Sequence, residues 1–360
     1  MKIIDIYIIK KFLGTFFYAI SLLIIIVIIF DISENIDSFI NNHAPFKAIV
    51  VDYYLNFIPY FINLFIYLFT FISVIFFTSK MATDTEIIAI LSSGVSFWRF
   101  LKPYLIASIF LAILSFYLGN FLIPSTNHTR RIFKDTYMGK LAKDRNRNLH
   151  VQIEPGIFVY VESFDSKKKI GRKFSLEKFD GQRLVSKLMA DKLVWDQDTK
   201  KWKITSWFKR EIDTATNKMI LSKGKEIDTT INLKPGDLYS IKRDYEEMNF
   251  WELNNYIIRE KEKGSISYKN YEVEKYKRVA GPVAILILTF IGVALSSRKV
   301  RGGIGMHLGV GLGLTFSYIL LMQLSTVFST VGNLPPSLGA WIPNIIYAGI
   351  GVYLLLKAPK

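Results

Sequence analysis

The chain has 360 residues, of which 51% are hydrophobic and 21% charged, and its formal net charge is +16. So apolar a composition is unusual for a soluble domain of this length and predicts a membrane protein. The absence of cysteine excludes disulfide bonds, thiolate metal sites and cysteine nucleophiles. The basic residues form no aromatic-interleaved motif of the kind that binds nucleic acid.

Long runs without Asp, Glu, Lys or Arg predict the membrane-spanning helices, because about 20 apolar residues cross a hydrocarbon core. The five runs are residues 12–30, 53–79, 103–129, 279–297 and 302–356. The last run is too long for one crossing, and Asn333-Leu334-Pro335-Pro336 divides it with residues that end a helix. The sequence therefore predicts six spans, three before and three after a long insert.

A short helix is predicted between spans two and three, over residues 83–94. Thr83 and Glu86 have the spacing of a capping box, and Gly94 suits the left-handed position that ends a helix. Asp84 and Glu86 place negative charge at the positive end of the helix dipole.

The same helix offers apolar surface to a partner protein. Its apolar residues are Ile87, Ile88, Ile90 and Leu91, and such a face docks into a groove on another protein. The other interpretation is a helix that lies on the lipid surface, where Glu86 serves only as a cap. The pattern alone leaves both interpretations open.

The insert changes to short alternating segments between Leu149 and Leu233, which predict half-buried strands. These segments are 150–153, 157–161, 173–176, 192–195 and 202–204, separated by turn sequences at 154–156, 165–167, 180–181 and 196–199. We therefore expect an antiparallel, jelly-roll-like β domain. A helix that begins near Trp251 and ends at Gly264 closes the insert, and a charged helix from Tyr271 to Ala280 leads into span four.

Basic residues near the span ends predict the orientation, because Lys and Arg are retained on the cytoplasmic side. With the amino terminus inside, the short cytoplasmic segments hold eleven Lys and Arg residues and the opposite short loops hold only Lys47. The predicted parts are residues 1–124 with spans one to three, 125–275 with the periplasmic β domain, and 276–360 with spans four to six.

Two further sets of residues have both a functional and an ordinary interpretation. The basic residues Arg130, Arg131 and Lys134 after span three, and Lys277 and Arg278 before span four, are suited to lipid phosphates or to simple headgroup anchoring. Three glycines with a spacing of four on span five, Gly305, Gly309 and Gly313, allow close helix packing or form part of a lateral gate.

The sequence carries no reactive constellation. The glycines of span five lack the lysine of a phosphate-binding loop, the four histidines lack metal-ligand spacing, and no acidic or basic residue lies deep in a span. We therefore expect no catalytic residue, no metal and no cofactor, and we expect the energy to come from a partner. A structural or tethering membrane protein is the main alternative, and a lipid-modifying membrane enzyme is a weaker one.

The span layout and several motifs resemble the LptF/LptG family of lipopolysaccharide export permeases. The resemblance covers essentially the whole chain and is most specific in the segments 85–94, 276–282, 298–305 and 334–344. The Leu334-Pro335-Pro336 to Pro343-Asn344 segment and the Asp5-Ile6-Tyr7-Ile8 start are more similar to LptG than to LptF.

The resemblance implies one half of an exporter that extracts lipopolysaccharide from the inner membrane. The implied partners are a homologous LptF-like permease, a cytoplasmic LptB-like ATPase dimer and a membrane-anchored, periplasmic LptC-like bridge protein. The ATPase-coupling role of the family is carried over to Glu86, with Asp84, Ile87, Ile90 and Gly94 around it, and its headgroup contacts to Arg131 and Lys134. Where LptG relatives carry lysines near the periplasmic end of span one, this chain has Asp31, Glu34 and Asp37.

Overall fold

The fold was analysed in a computed structural model, which describes residues 2–138, 147–165, 168–212, 218–235, 238, 245–265, 267–298 and 303–357. Among these residues are six helices long and apolar enough to cross a membrane and one six-stranded antiparallel sheet inserted between the third and fourth of them. The predicted fold class, a membrane α-helical protein with an inserted antiparallel β domain, is confirmed.

Two compact units make up the chain. The first, here called the span unit, comprises residues 1–131, 246–250 and 269–360, and the second comprises residues 132–245 and 251–268. The spanning helices are α1 (Ile3–Asn41), α2 (Phe46–Thr83), α4 (Phe97–Tyr137), α6 (Tyr268–Ser296), α7 (Gly303–Thr330) and α8 (Pro336–Leu356). The shorter helices are α3 (Glu86–Ser92) and α5 (Phe250–Glu262). Wider π-type turns occur in α2 at Ile49–Tyr54 and in α4 at Leu118–Leu122.

Helix α1 packs on the rest of the span unit mainly through its first half. Its buried residues are Asp5, Ile8, Phe12, Phe16, Ile20 and Phe39. The first five recur every three or four residues and therefore form one stripe along the helix. Between Ile20 and Phe39 no residue of α1 is buried, although Ile24 packs against the bundle core and Asp31 accepts hydrogen bonds from two tyrosines of α2.

Helices α2, α6, α7 and α8 form a tightly packed group around a buried core. Its members are Phe71, Ile75, Ala284, Leu288, Ile291, Tyr318 and Tyr347. A buried polar chain joins three of the helices: Tyr318 Oη donates to Asn344 Oδ1 over 2.8 Å, and Asn344 Nδ2 donates to the Ala280 carbonyl over 2.7 Å. Such bonds stabilise helix association in a membrane, where no water competes for the polar groups.

The β domain is a single sheet whose strands pair in chain order. The strands are β1 (Arg147–Glu154), β2 (Ile157–Asp165), β3 (Ile170–Asp180), β4 (Arg183–Asp196), β5 (Lys201–Ile212) and β6 (Met219–Thr229). Each pairs antiparallel with the next, so the described strands form a meander. A jelly roll also joins strands that are distant in the chain, and the described strands contain no such pair.

A row of left-handed residues crosses this sheet and explains why the predicted strands are too short. Asn148, Lys173 and Ser206 have φ angles of 51°, 51° and 55°. Lys173 interrupts the alternation of β3, so that the buried residues are Gly171 on one side of it and Phe174 on the other. A sequence scan for strict alternation therefore ends a strand where the real strand continues.

The core of the β domain centres on Trp202, which is fully buried. Its indole Nε1 donates to the Leu233 carbonyl over 2.6 Å, so the polar atom of the ring is paired inside an apolar cluster. The predicted turn at 196–199 is confirmed between β4 and β5. There the Thr199 hydroxyl and the Asp198 N–H donate to Asp196 and hold the pKa of that carboxyl below its usual value.

The other predicted turns and helices are confirmed where they are described. Gly156 and Gly181 take left-handed φ angles at the turns that follow β1 and β3. Of the turn predicted at 165–167, residues 166 and 167 lie outside the described residues. Helix α5 is followed by Gly264 with φ of 72°, and the charged helix before span four is the first part of α6.

Candidate functional site

The helix between spans two and three is α3, and it begins later than predicted. Thr83 is the last residue of α2, and its Oγ1 donates to the Ser79 carbonyl over 2.9 Å. Thr85 precedes α3 with a left-handed φ of 62°, and its side chain makes no capping hydrogen bond. The predicted capping box between Thr83 and Glu86 is therefore wrong. The predicted left-handed Gly94 is confirmed, with φ of 86°.

The apolar side of α3 is turned mainly towards the bundle. Ile87 is 1% exposed within the bundle core, and Ile90 and Leu91 pack against the same core. Ile88, by contrast, is 58% exposed, and Asp84 before the helix is exposed as well. Ile87 and Ile90 thus hold α3 on the bundle, which corrects their predicted place on a docking surface. The accessible side of this segment is polar apart from Ile88.

Two contacts that the sequence did not predict connect the start of α1 to this region. Asp5 accepts two hydrogen bonds from Arg99 at the start of α4, each 2.7 Å long, and Tyr7 Oη lies 3.4 Å from Glu86 Oε2 as its donor. The only signal in the sequence was one acidic residue, Asp5, at the head of a helix that is otherwise apolar over most of its length. Its partner lies 94 residues away and is not visible in any local pattern.

A buried carboxylate organises the other end of the span unit. Glu247, in the 3₁₀ turn Tyr245–Glu247, is 6% exposed, and its Oε1 lies 3.0 Å from Arg131 Nε on α4. His128 Nδ1 lies 3.1 Å from Arg131 Nη2 and 3.7 Å from Glu247 Oε2, so this histidine lies beside the same pair. Arg131 is therefore the cation that balances Glu247.

Arg278 has an internal role at the same end of the span unit. Its Nη1 donates to the Met248 carbonyl over 2.7 Å, and its Nε donates to Glu274 Oε1 over 3.3 Å. Arg278 on α6 and Arg131 on α4 thus both bind the segment 245–248, one at the Met248 carbonyl and the other at the Glu247 carboxylate. Two of the five basic residues predicted for lipid phosphates already have protein acceptors.

Arg130 differs from these two arginines. Its guanidinium lies 5.7 Å from the centre of the Phe57 ring and 5.4 Å from that of Tyr60, both on α2. Aromatic faces attract a guanidinium through their quadrupole but leave its N–H groups free to bind an anion. Lys134 on α4 and Lys277 on α6 are half-buried.

The acidic end of span one has partners within the chain. Asp31 on α1 accepts hydrogen bonds from Tyr53 Oη over 3.2 Å and from Tyr54 Oη over 3.0 Å, both in the π-type turn of α2. Phe39 packs edge-on against both tyrosine rings. Asp31 thus joins spans one and two.

The three glycines predicted for span five point away from the packed group. A Cβ atom built on Gly305, Gly309 or Gly313 meets nothing within 4 Å. Gly311 lies on the packed side of α7, because a Cβ there would meet the Ile75 side chain, which would have to move. Close packing inside the chain therefore depends on Gly311, and the face with the predicted glycines is open among the described residues.

The amino-acid sequence matches a known family over almost its whole length. Residues 6–357 match the family described as "Lipopolysaccharide export system permease LptF/LptG". The chain belongs to the LptF/LptG family. The family resemblance inferred from the sequence is therefore confirmed, and the chain is a multi-pass member of an inner-membrane permease family rather than an enzyme.

Two relatives agree with the similarity to LptG. The chain is 21% identical over 291 residues to the "Lipopolysaccharide export system permease protein LptG" of Escherichia coli strain K12, and 77% of each chain is covered. It has the same identity and coverage with the protein of that name from Escherichia coli O6:H1 strain CFT073. The family to which the chain belongs is thus named for lipopolysaccharide export.

Proposed function

We propose that this LptF/LptG family member is one of two permease subunits of an ATP-driven lipopolysaccharide exporter. It extracts lipopolysaccharide from the inner membrane and passes it to a periplasmic bridge protein. The whole-chain family match carries this proposal. Both termini and α3 are cytoplasmic in this account and the β domain is periplasmic, in agreement with the eleven Lys and Arg residues of the short cytoplasmic segments.

The energy comes from a partner ATPase that contacts α3. The accessible groups of this segment are Asp84, Glu86, Ile88 and the turn at Gly94. Carboxylates at the start of a helix suit basic groups on a partner, and Ile88 supplies one apolar contact. Ile87 and Ile90 pack against the bundle core and thereby hold α3 in place, so that its accessible groups face a partner.

The second permease subunit covers the open face of α7. Gly305, Gly309 and Gly313 lie along this face and leave room for a second helix to approach closely. The part of α1 between Ile20 and Phe39, in which no residue is buried, offers further apolar surface to this subunit. A cavity for acyl chains between two such subunits needs apolar walls of this kind.

Arg130 is the strongest candidate for contact with a lipid phosphate. Arg131 and Arg278 already bind Glu247 and the Met248 carbonyl, whereas Arg130 stacks on two aromatic rings. A phosphate therefore gains a charge-assisted bidentate partner at Arg130 without breaking an ion pair. Lys277 is a further candidate on α6, and Lys134 stays a prediction from the sequence.

The proposal is tested by reconstituting the chain with a homologous permease, the ATPase and the bridge protein in vesicles that contain lipopolysaccharide. We expect transfer of lipopolysaccharide to the bridge protein with ATP and none with an ATPase variant that binds but does not hydrolyse nucleotide. Equal transfer in both cases would refute ATP-driven export, and no transfer in either would favour a tethering role.

The headgroup site is tested by Arg130→Gln in the same complex. We expect the lipopolysaccharide retained by the purified complex to fall about tenfold, which corresponds to the loss of one charge-assisted contact. Arg259→Gln is the matched control, because Arg259 also lies over an aromatic ring, that of Tyr256 at 5.9 Å. An equal loss with a lipid that lacks phosphates would exclude a phosphate contact at Arg130.

A further inference from the structure

The first turn of span one is fixed to the first turn of span three by a bidentate ion pair. Both oxygens of Asp5 accept from Arg99, each over 2.7 Å, and the Asp5 side chain is 7% exposed. Asp5 Oδ2 also accepts from the Lys2 backbone N–H over 2.9 Å. A nearly buried, two-pronged pair of this kind fixes both distance and angle, unlike a surface ion pair. The start of α1 therefore moves with the start of α4.

A second contact joins the start of span one to α3. Tyr7 Oη donates to Glu86 Oε2, and the Tyr7 ring packs edge-on against Phe77 of α2. Glu86 is the first residue of α3. The start of α1 is thus bound to α4 through Asp5 and Arg99 and to α3 through Tyr7 and Glu86. The short segment 93–96 connects the end of α3 to the start of α4.

The remainder of span one is suited to respond to movement at this end. The buried stripe of α1 runs from Asp5 to Ile20, and none of the following residues is buried up to Phe39. A straight helix is about 1.5 Å long for each residue, so a tilt imposed on its first turns displaces its far end. Beyond Ile20 such a tilt is accommodated at Ile24, at the hydrogen bonds between Asp31 and the two tyrosines of α2, and at Phe39.

We infer that Asp5, Tyr7 and Arg99 are positioning residues that carry movement of α3 to span one. This inference rests on the proposed function, since it requires a partner that moves α3. When the ATPase pulls or rotates α3, Glu86 shifts the Tyr7 hydroxyl, and the Asp5–Arg99 pair makes the start of α1 follow as a rigid lever. Neither Asp5 nor Arg99 needs to contact the ATPase or the lipid.

The experiment measures the number of lipid molecules released per ATP hydrolysed in the full reconstituted complex. Asp5→Asn keeps the shape of the side chain but removes its charge, and we expect the ratio to fall at least about fivefold, a typical size for coupling between sites. Tyr7→Phe removes one hydroxyl, and we expect a fall of about threefold. We expect binding of the ATPase to stay unchanged in Asp5→Asn, because the Asp5 side chain is only 7% exposed, and in Tyr7→Phe, because Glu86 keeps its charge.

Matched controls are available on the same helix. Asp37→Asn and Tyr18→Phe remove a charge and a hydroxyl at exposed positions of α1, and we expect a wild-type ratio for both. The charge exchange Asp5→Arg with Arg99→Asp restores an ion pair, and we expect it to recover most of the ratio that Arg99→Asp alone loses. A variant that merely fails to fold would not be rescued by the exchange and would bind less ATPase.

The outcomes separate this inference from the proposed function. ATP-dependent release by the wild type, with an unchanged ratio in Asp5→Asn, Tyr7→Phe and Arg99→Asp, overturns the inference and leaves the proposed function in place. No ATP-dependent release by the wild-type complex overturns both. A loss in Asp5→Asn, together with a loss in Arg99→Asp that the charge exchange recovers, supports the transmission of movement through this pair.

Discussion

Of the six spans, spans one and four differ most in the fraction of their residues that is buried. In the most apolar 18-residue window of α6, 61% of the residues are buried, compared with 17% in that of α1. α6 is surrounded by α2 and α8 and receives a buried hydrogen bond at the Ala280 carbonyl. α1 is fixed by one stripe from Asp5 to Ile20 and by Phe39.

The difference in burial shows that the chain combines a closely packed group of helices with one helix, α1, that has fewer internal contacts. Close packing resists deformation, so the group of α2, α6, α7 and α8 behaves as a framework. A helix with few internal contacts changes its tilt at a small cost in free energy. Span one is therefore the element on which a partner acts most easily. Its buried stripe lies in the half nearest α3, and Asp31 and Phe39 attach its other half to α2.

The largest expected effect distinguishes the two halves of span one. Phe12 is fully buried and Phe30 is 72% exposed, although both lie on α1. We expect Phe12→Ala to lower the free energy of unfolding of the isolated chain in micelles by about 3 kcal/mol, because it leaves a cavity. Phe30→Ala should change it by less than about 0.5 kcal/mol. Equal losses would mean that α1 is packed along its whole length.

A second pair of variants tests the two sides of span five. Gly311→Leu forces a side chain against Ile75 and Phe71 of α2, and we expect a loss of about 2 kcal/mol from overpacking. Gly309→Leu projects into open space and should leave the stability of the isolated chain unchanged. Thermal unfolding in micelles measures both. Destabilisation by the Gly309 variant alone would reverse the assignment of the packed side.

The smallest expected effect concerns the polar chain inside the framework. Tyr318→Phe leaves Asn344 Oδ1 without its donor, and we expect a loss of about 1 kcal/mol, as for other hydrogen bonds between membrane helices. Tyr18→Phe, at a residue 69% exposed on α1, is the control and should have no effect. If both variants unfold at the temperature of the wild type, the polar chain does not stabilise the framework.

The spans and the alternating strands were predictable from the sequence because each follows from a local pattern. Uncharged runs predicted all six spans, and alternation predicted parts of five strands. β6 was missed because Met219–Thr229 is exposed along nearly its whole length and has no apolar alternation. The capping box failed because the local pattern at Thr83 does not reveal that span two continues through it.

The candidate sites were less predictable, because they depend on which way side chains point and on distant partners. A spacing of four placed Gly305, Gly309 and Gly313 on one face but did not say whether that face is packed. Residues 309 and 311 differ by about 200° around a helix, and the packing lies with Gly311. The sequence predicted the basic residues near the span ends only as a group, and the fold distinguishes Arg130 from Arg131, which is paired with Glu247.

The central claim is that nucleotide binding by the partner ATPase moves span one against a fixed framework. The chain has no cysteine, so spin labels can be attached at introduced cysteines alone. One pair, Ile26→Cys with Val352→Cys, reports on α1 and α8, and a second, Leu320→Cys with Val352→Cys, reports within the framework; all three side chains are exposed.

Distances between the labels are measured by pulsed electron paramagnetic resonance in the assembled complex with and without ATP. The account predicts that the distance distribution of the α1–α8 pair shifts with nucleotide while that of the α7–α8 pair stays the same. An unchanged α1–α8 distance, or an equal shift in both pairs, would contradict it.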